Sequence, residues 1–331
     1  MKDPIKGDPS FRKFGSIENS YQNKVIARWS NHFPELTVSK FIVMEKIDGS
    51  CMGVYITEDN IVYNSRRKIL EETDSFNEYL RVFTGYQSHL DAIQNYVKTT
   101  DGVDSVRIYG EIFGNVITRV NYGDVNDFKV FEVLVNDKPL TIKAGMDFLT
   151  DLGINDWWVP VFGIFDNFQD AYDFDIDVDT KAITGTQRTG DNVCNKIEGV
   201  VIAPYDVMFS YEHEDEGTSV FKLKKKSEKF NDKGKNKKPF EGFVGSDEYT
   251  RLAGIWSGMI NENRLLDLFS KEGMIQGPKE IGKYIPKMLA DVKEDFFKEH
   301  KDAFILLTDT EKKKIISSTA SLVVPLLQAH L

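Results

Sequence analysis

Apolar and polar positions change rhythm twice along this chain. Ser16 followed by Ile17, Tyr21, Val25, Ile26 and Trp29 puts apolar residues at helical spacing behind a hydroxyl that can cap a first turn, which predicts an amphipathic helix. After Pro34 the pattern becomes one of short apolar stretches: Phe41 to Met44, Met52 to Ile56, Ile61 to Tyr63, Val106 to Tyr109, Phe128 to Val135, Gly199 to Ile202 and Val220 to Leu223. They are rich in Val, Ile, Tyr and Phe and bounded by Gly, Asp and Asn, so they predict strands. Leu90, Ile93 and Val97 predict a helix between them.

The second change comes after residue 230. Asn231 to Gly245 is polar and carries Gly234, Pro239, Gly242 and Gly245, the composition of a linker. Beyond it β-rich runs stop, and helical periods cover Tyr249 to Met259, Arg264 to Ser270, Lys279 to Leu289, Ala290 to Lys301 and Thr310 to Leu327. The predicted organisation is a mixed α/β domain over residues 1–235, a linker over 236–245 and a smaller all-α domain over 246–331. No internal repeat is evident.

With 331 residues, 41% hydrophobic and 28% charged, the chain can bury a sizeable core and is not a disordered protein. The longest nearly apolar run, Trp157 to Phe165, contains Pro160 and Gly163 and is too short to cross a bilayer. The start, with Lys2, Asp3, Lys6 and Asp8, lacks the apolar core of a secretory signal. Two cysteines, Cys51 and Cys194, suit a reducing compartment, so a cytoplasmic protein without a membrane partner is expected. The net charge of −10 is unevenly spread. Lys222 to Lys238 holds nine lysines against two acids, a basic face on an acidic body. Standing alone, such a run reads as solvated surface.

Glu45-Lys46-Ile47-Asp48-Gly49 places a lysine at the end of a predicted strand, followed at once by a turn-forming Asp-Gly pair. A nucleophilic amine needs such a rigid mount, and Gly49 would let a ligand approach the backbone. Taken singly, Lys46 reads as a surface lysine. Downstream, in order, come Ser65-Arg66-Arg67, Tyr109-Gly110-Glu111, Phe128-Lys129-Val130-Phe131-Glu132, Ile197-Glu198-Gly199-Val200-Val201-Ile202 and Phe221-Lys222-Leu223-Lys224.

These segments match the collinear motifs of the covalent nucleotidyltransferases, the group of RNA ligases, DNA ligases and mRNA capping enzymes. Within that group the chain most resembles the RNA ligase 2 family, which includes phage RNA ligases and trypanosome mitochondrial RNA-editing ligases. Phe11 to Asn19 resembles the family's amino-terminal signature. Asn263-Arg264-Leu265, Ser270 to Gly273 and Gly277 to Lys283 resemble the phage enzyme's helical carboxy-terminal domain. The likeness runs almost end to end. DNA ligases and capping enzymes carry a β-barrel after the last lysine motif, whereas this tail reads as helices.

The resemblance implies an α+β fold: a nucleotidyltransferase domain of antiparallel sheets and helices (ATP-grasp-like, the adenylation domain of DNA and RNA ligases) and a small all-α carboxy-terminal domain. It also implies roles. Lys46 would attack the α-phosphorus of ATP and carry AMP as a phosphoramidate. Lys222 and Lys224, alternate residues on one strand face, would lie beside it with Mg²⁺ (or Mn²⁺), disfavour its ammonium form and offset phosphate charge. Phe131 would stack on the adenine and Glu45 would help read it. Glu111 would contact the ribose hydroxyl, and Glu198, with Glu111, would hold the metal. Arg66 would bind phosphate, with Arg67 a weaker candidate. RNA contacts would come from Arg66, Phe76, Lys225 and Lys226 and, in the tail, from Arg264, Asp291 and Asp295.

Three positions depart from the phage pattern: Ala203 for a lysine, Cys51 for an asparagine and Ser75 before Phe76, where two aromatics are expected. None removes a core catalytic group. Asp173, Asp175, Asp177 and Asp179 have the alternation of a calcium loop without its glycine and terminal glutamate, so an acidic strand face is expected. Glu212-His213-Glu214-Asp215-Glu216 reads as a solvated loop, and the histidines show no zinc spacing. The reading is therefore an ATP-dependent RNA ligase, a monomer acting on 3′-hydroxyl and 5′-phosphate ends, chiefly nicks in duplex RNA, in the cytoplasm (the host's, if a phage encodes it). The alternatives are a DNA ligase or capping-type nucleotidyltransferase, against which the helical tail speaks, and an RNA-binding module that has lost catalysis, against which Lys46, Glu198, Lys222 and Lys224 speak.

Overall fold

Two five-stranded sheets, a separate hairpin and a set of helices make up the described residues. The computed structural model describes residues 8–115, 118–190, 194–213, 217–231 and 245–331. All of the predicted linker except Gly245 lies outside these residues, as do Lys233 to Lys238 of the lysine run and Glu214 to Glu216. The chain divides into two units, one of residues up to Tyr21 and Trp29–Ser227, the other of Gln22–Arg28 and Glu228–Leu331.

In chain order the elements before residue 228 are β1 (Glu18–Asn19), α1 (Asn23–His32), β2 (Phe41–Lys46), β3 (Ser50–Ile56), β4 (Ile61–Ser65), α2 (Tyr79–Gly85), α3 (Gln87–Thr99), β5 (Val106–Phe113), β6 (Asp127–Val135), β7 (Lys138–Pro139), α4 (Ile142–Asp151), β8 (Val161–Phe165), α5 (Phe168–Tyr172), β9 (Gly199–Pro204), β10 (Ser210–His213), β11 (Gly217–Val220) and β12 (Leu223–Lys226). One sheet has the order β1-β12-β9-β2-β8, the other β4-β3-β5-β6-β7, and β10 and β11 form a separate hairpin. All pairings of these strands are antiparallel except the two-residue β1–β12 contact. The fold is α+β.

Phe41, Ile42, Val43 and Met44 are all buried, as expected of a strand covered on both faces. Leu90, Ile93 and Val97 on α3 are buried as their spacing predicts.

Several expectations are corrected. The first helix starts at Asn23, not near Ser16, because the backbone there pairs with β12: the Glu18 N–H donates to the Lys222 carbonyl (3.2 Å) and the Ser20 N–H to that of Lys224 (3.0 Å). Val220 to Leu223 is not one strand. It spans the end of β11 and the start of β12, and buried Phe221 sits at the break. The run Trp157 to Phe165 supplies β8, on the free edge beside β2. Asp173 to Asp179 is no strand face: only Asp179 makes a bridge, to Lys196, whose amine lies 3.2 and 3.3 Å from Asp177 and Asp179. Glu212 and His213 end strand β10 rather than a loop.

The second unit contains α6 (Asp247–Met259), α7 (Glu262–Glu272), α8 (Ile281–Ile305) and α9 (Asp309–Gln328). Each of α6, α7 and α9 starts where a side chain satisfies an otherwise orphaned backbone N–H: Ser246 accepts from Tyr249, Asn261 from Arg264 and Thr308 from Glu311. The two helices expected over 279–289 and 290–301 are one, since nothing between Leu289 and Ala290 breaks the backbone and Pro286 falls early in α8. Trp256, Leu265, Met288, Val292, Phe296, Ile315 and Val323 are part of its core. Among the described residues no helix is long and apolar enough to cross a membrane.

Candidate active site

The site begins at the end of β2, where strand register does the placing. Lys46 stands opposite Gly199 of β9, and Gly199 stands opposite Lys226 of β12. Met44, Val201 and Lys224 form the next row of the same face. Glu198, just before β9, is almost wholly buried and receives this cationic cluster: Lys46 Nζ donates to its Oε2 at 2.5 Å, and Lys226 Nζ lies 3.0 Å from Oε1. A lysine amine thus sits against a buried carboxylate that a second lysine also touches. Such a buried carboxylate is stable only because it is compensated.

The turn after Lys46 is held from β5. A Cβ on Gly49 would lie 2.3 Å from the carbonyl oxygen of Ile112 and 3.0 Å from Cγ of Glu111. Gly49 is therefore required by the close approach of β5, a different reason from the ligand access expected of it. Glu111 lies beside the lysine turn in consequence. Burial pushes its carboxyl up to about 8, against the pull of Lys46, with Glu198 and Asp48 pushing the same way and Arg66 opposing.

Phe131 owes its setting to a bulge. Tyr109 pairs with Glu132 and Gly110 with Val130, so Phe131 is the extra residue of β6. A bulge of this kind re-aims a side chain. Phe131 is half-buried, with its ring centroid 5.0 Å from that of Phe14, which also packs on Tyr109. Lys222 pairs with Glu132 and passes 5.7 Å from the Phe14 ring, and Arg66 Nη2 donates to Ser16 Oγ at 3.1 Å.

Other expected residues are placed elsewhere. The carboxylate of Glu45 points away from the Lys46 face by strand alternation, accepting from the Thr180 hydroxyl and, at 2.9 Å, from the Lys181 N–H, and burial raises its pKa. Lys225, also on the opposite face, donates to the carbonyls of Tyr172 (2.6 Å) and Phe174 (3.0 Å), and burial lowers its pKa. Phe76 is half-buried in a short 3-10 turn, whose next two residues, Asn77 and Glu78, have positive φ. Arg67 and Ser75 are exposed, Cys51 lies on β3 opposite Glu111, and Ala203 is buried on β9 opposite Ile42. In the helical unit, buried Arg264 comes together with half-buried Asp291 and Asp295 as an ion network.

Some residues of the site carry another role, or none, in the sequence reading. Lys226 was expected at RNA, yet it continues the alternation of Lys222 and Lys224, which would have put it on the Lys46 face. Glu132 and Phe14 lie inside segments already quoted, without a role. Arg119 and Tyr122, which grip Asp48, sit in a connection with no periodicity and gave no signal.

The arrangement is a lysine amine amid cations and acids. Residues 39–224 match the RNA ligase family, and residues 243–321 match the family described as T4 RNA ligase 2 C-terminal. Among solved structures, the chain is similar to a Naegleria gruberi RNA ligase mutant with ATP and Mn, at 20% identity and a TM-score of 0.46, covering 67% of this chain and 58% of that one. It is likewise similar to Naegleria gruberi RNA ligase with PPi, at 19% identity and a TM-score of 0.43, covering 66% of this chain and 57% of that one. The chain thus spans somewhat more than half the length of these structures. No curated protein matches. Because the first match takes in more than half of the chain and the second most of its helical end, the chain belongs to the RNA ligase family and is RNA ligase 2-like.

Proposed function

We propose that this chain is an ATP-dependent RNA ligase that seals 3′-hydroxyl/5′-phosphate nicks in duplex RNA. The observation that carries the reading is the 2.5 Å contact of Lys46 with buried Glu198, at the end of three paired strands that also carry Lys224 and Lys226. In the first step the neutral Lys46 amine attacks the α-phosphorus of ATP. A P–N bond forms, the α–β anhydride breaks, pyrophosphate leaves and the amine proton goes to solvent. In the second, an oxygen of the RNA 5′-phosphate attacks that phosphorus, the P–N bond breaks and Lys46 is regenerated. In the third, the RNA 3′-hydroxyl attacks the 5′-phosphorus and AMP leaves.

Lys222 and Lys224 would offset charge on the α-phosphate, Arg66 would bind phosphate and Glu111 the ribose. Phe131 would stack on the adenine, with Glu45 helping to read it. Glu198 with Glu111 suits a hard divalent ion, Mg²⁺ or Mn²⁺, since such ions take carboxylates together with waters and phosphate oxygens; the ion would supply charge compensation there. We assign nucleotidyl transfer to residues 1–235 and duplex recognition, by shape and 2′-hydroxyl contacts, to the basic linker and the helical domain over 246–331. RNA contact through Arg66, Lys225, Lys226, Arg264, Asp291 and Asp295 would require them first to leave protein partners, and Phe76 is half-buried. The free cysteines Cys51 and Cys194 support a cytoplasmic setting, and we take the protein to act as a monomer.

Incubation with Mg²⁺ and α-labelled ATP or GTP, followed by a denaturing gel, tests the reading. ATP should label the protein, and the labelled protein should seal nicked duplex RNA. Labelling by GTP would favour the capping-type alternative, and no labelling by either would remove the enzyme reading. Phe131→Ala should raise the ATP requirement of labelling by about ten-fold or more, because base–aromatic stacking is worth about 1–3 kcal/mol. Phe131→Leu should be milder. An ATP dependence unchanged in both variants would assign Phe131 to packing alone.

A further inference from the structure

Asp48 follows Lys46 by two residues and is nearly buried, and its carboxylate is gripped by Arg119. The Arg119 backbone N–H donates to Asp48 Oδ2 at 2.6 Å, its Nη2 donates to Oδ1 at 3.0 Å, and its Nε reaches Oδ2 at 3.4 Å. The same Nη2 lies 4.0 Å from Oε1 of Glu198, the carboxylate that holds Lys46. Three residues on, the Tyr122 hydroxyl accepts the Asp48 backbone N–H at 2.6 Å. One short segment therefore holds the lysine turn by both backbone and side chain.

That segment is itself anchored. Between Arg119 and Tyr122, Asn121 is buried at 1% exposure, donates from Nδ2 to the Arg188 carbonyl (3.0 Å) and to Asn195 Oδ1 (2.9 Å), and accepts the Arg188 N–H (3.0 Å). A group fixed from behind can impose its geometry on what it touches. The planar guanidinium matches this task, since it can bind both oxygens of Asp48 and still face Glu198, which a lysine ammonium cannot do in one geometry.

We propose that Arg119 is a positioning residue for the nucleophile: by locking Asp48 and facing Glu198 it fixes the end of β2, so that the Lys46 amine is presented in a single place. The inference rests on the ligase reading above and concerns only the steps in which Lys46 takes part. Misplacing a reacting group by about 1 Å can cost about a hundred-fold in rate. Sealing of an RNA that already carries the 5′-adenylate needs no lysine chemistry and should be spared.

The test uses the full-length protein with Arg119→Ala and Arg119→Lys. Single-turnover labelling by ATP is compared with sealing of a pre-adenylylated nicked duplex, and thermal unfolding is followed for each variant. Labelling should fall about a hundred-fold in Arg119→Ala and about ten-fold in Arg119→Lys, which keeps the charge without the fork, while pre-adenylylated sealing falls less than about three-fold in both. Should Arg119→Ala not fold, the Arg119→Lys comparison decides by itself. Equal losses in the two reactions, or none, would overturn the positioning role while wild-type labelling leaves the ligase reading standing. Failure of the wild-type protein to label would remove that reading and this proposal together.

Discussion

Lys46→Ala should abolish transfer of label from ATP to the protein, a loss of at least about a thousand-fold, since no neighbouring group can replace a deleted nucleophile. The fold should survive. Glu198 is the group most exposed to the loss, because the removed ammonium is its 2.5 Å partner, but Lys226 at 3.0 Å and Arg119 at 4.0 Å remain to compensate it. Breaking one contact of a buried carboxylate is severe only where it leaves the charge unpaired. The variant should therefore unfold within a few degrees of the wild type and still seal a pre-adenylylated nick. Undiminished labelling of the variant would sink the assignment, and a labelled peptide lacking Lys46 would point to another lysine. A collapse of thermal stability would show that the Lys46–Glu198 pair is a structural bond first.

What was legible from sequence tracks what is local. The strand bearing Lys46 announces itself through Phe41 to Met44, and the turn through Asp48-Gly49, because both are written in consecutive residues. Strand alternation put Lys224 on the Lys46 face, and it would have put Lys226 there too. What could not be read is where distant segments touch. Nothing in the residues around Arg119 shows that they meet Asp48, 71 positions earlier. The reason for Gly49 lies in β5, and the bulge that sets Phe131 appears only once Tyr109 and Gly110 have taken their partners. The first helix shows the same limit from the other side. Its apolar period begins at Ile17, but pairing with β12 claims Glu18 and Asn19 before the helix can.

The helical unit carries the second large effect. Arg264→Ala should destabilise it by about 3–5 kcal/mol, the usual cost of breaking a buried ion pair from one side. Arg264 is 2% exposed and ties α7 to α8, with Nη1 2.5 Å from Asp291 Oδ2 and Nη2 3.0 Å from Asp295 Oδ2. Its removal leaves Asp291 with Lys271, at 3.1 Å, and takes from Asp295 its 3.0 Å partner, with Lys298 at 3.8 Å. Burial by itself would raise the Asp291 carboxyl, but the charges and hydrogen bonds of Lys271 and Arg264 outweigh it and hold the carboxyl below its ordinary range. A carboxyl depressed in the folded state contributes stability that is complete above its unfolded value, about 4, and is lost as pH falls through the folded one. Wild-type melting should thus be flat near neutrality as far as this group is concerned and should drop on acidification below about pH 4. In Arg264→Met, which fills the space of the stem without the charge, the acid-dependent drop should be shallower and the neutral-pH melting temperature lower. Thermal melts between pH 7 and pH 3 measure both. If Arg264→Ala and Arg264→Met melt like the wild type but bind nicked duplex RNA poorly, Arg264 acts as an RNA contact and the network is not what holds α7 to α8.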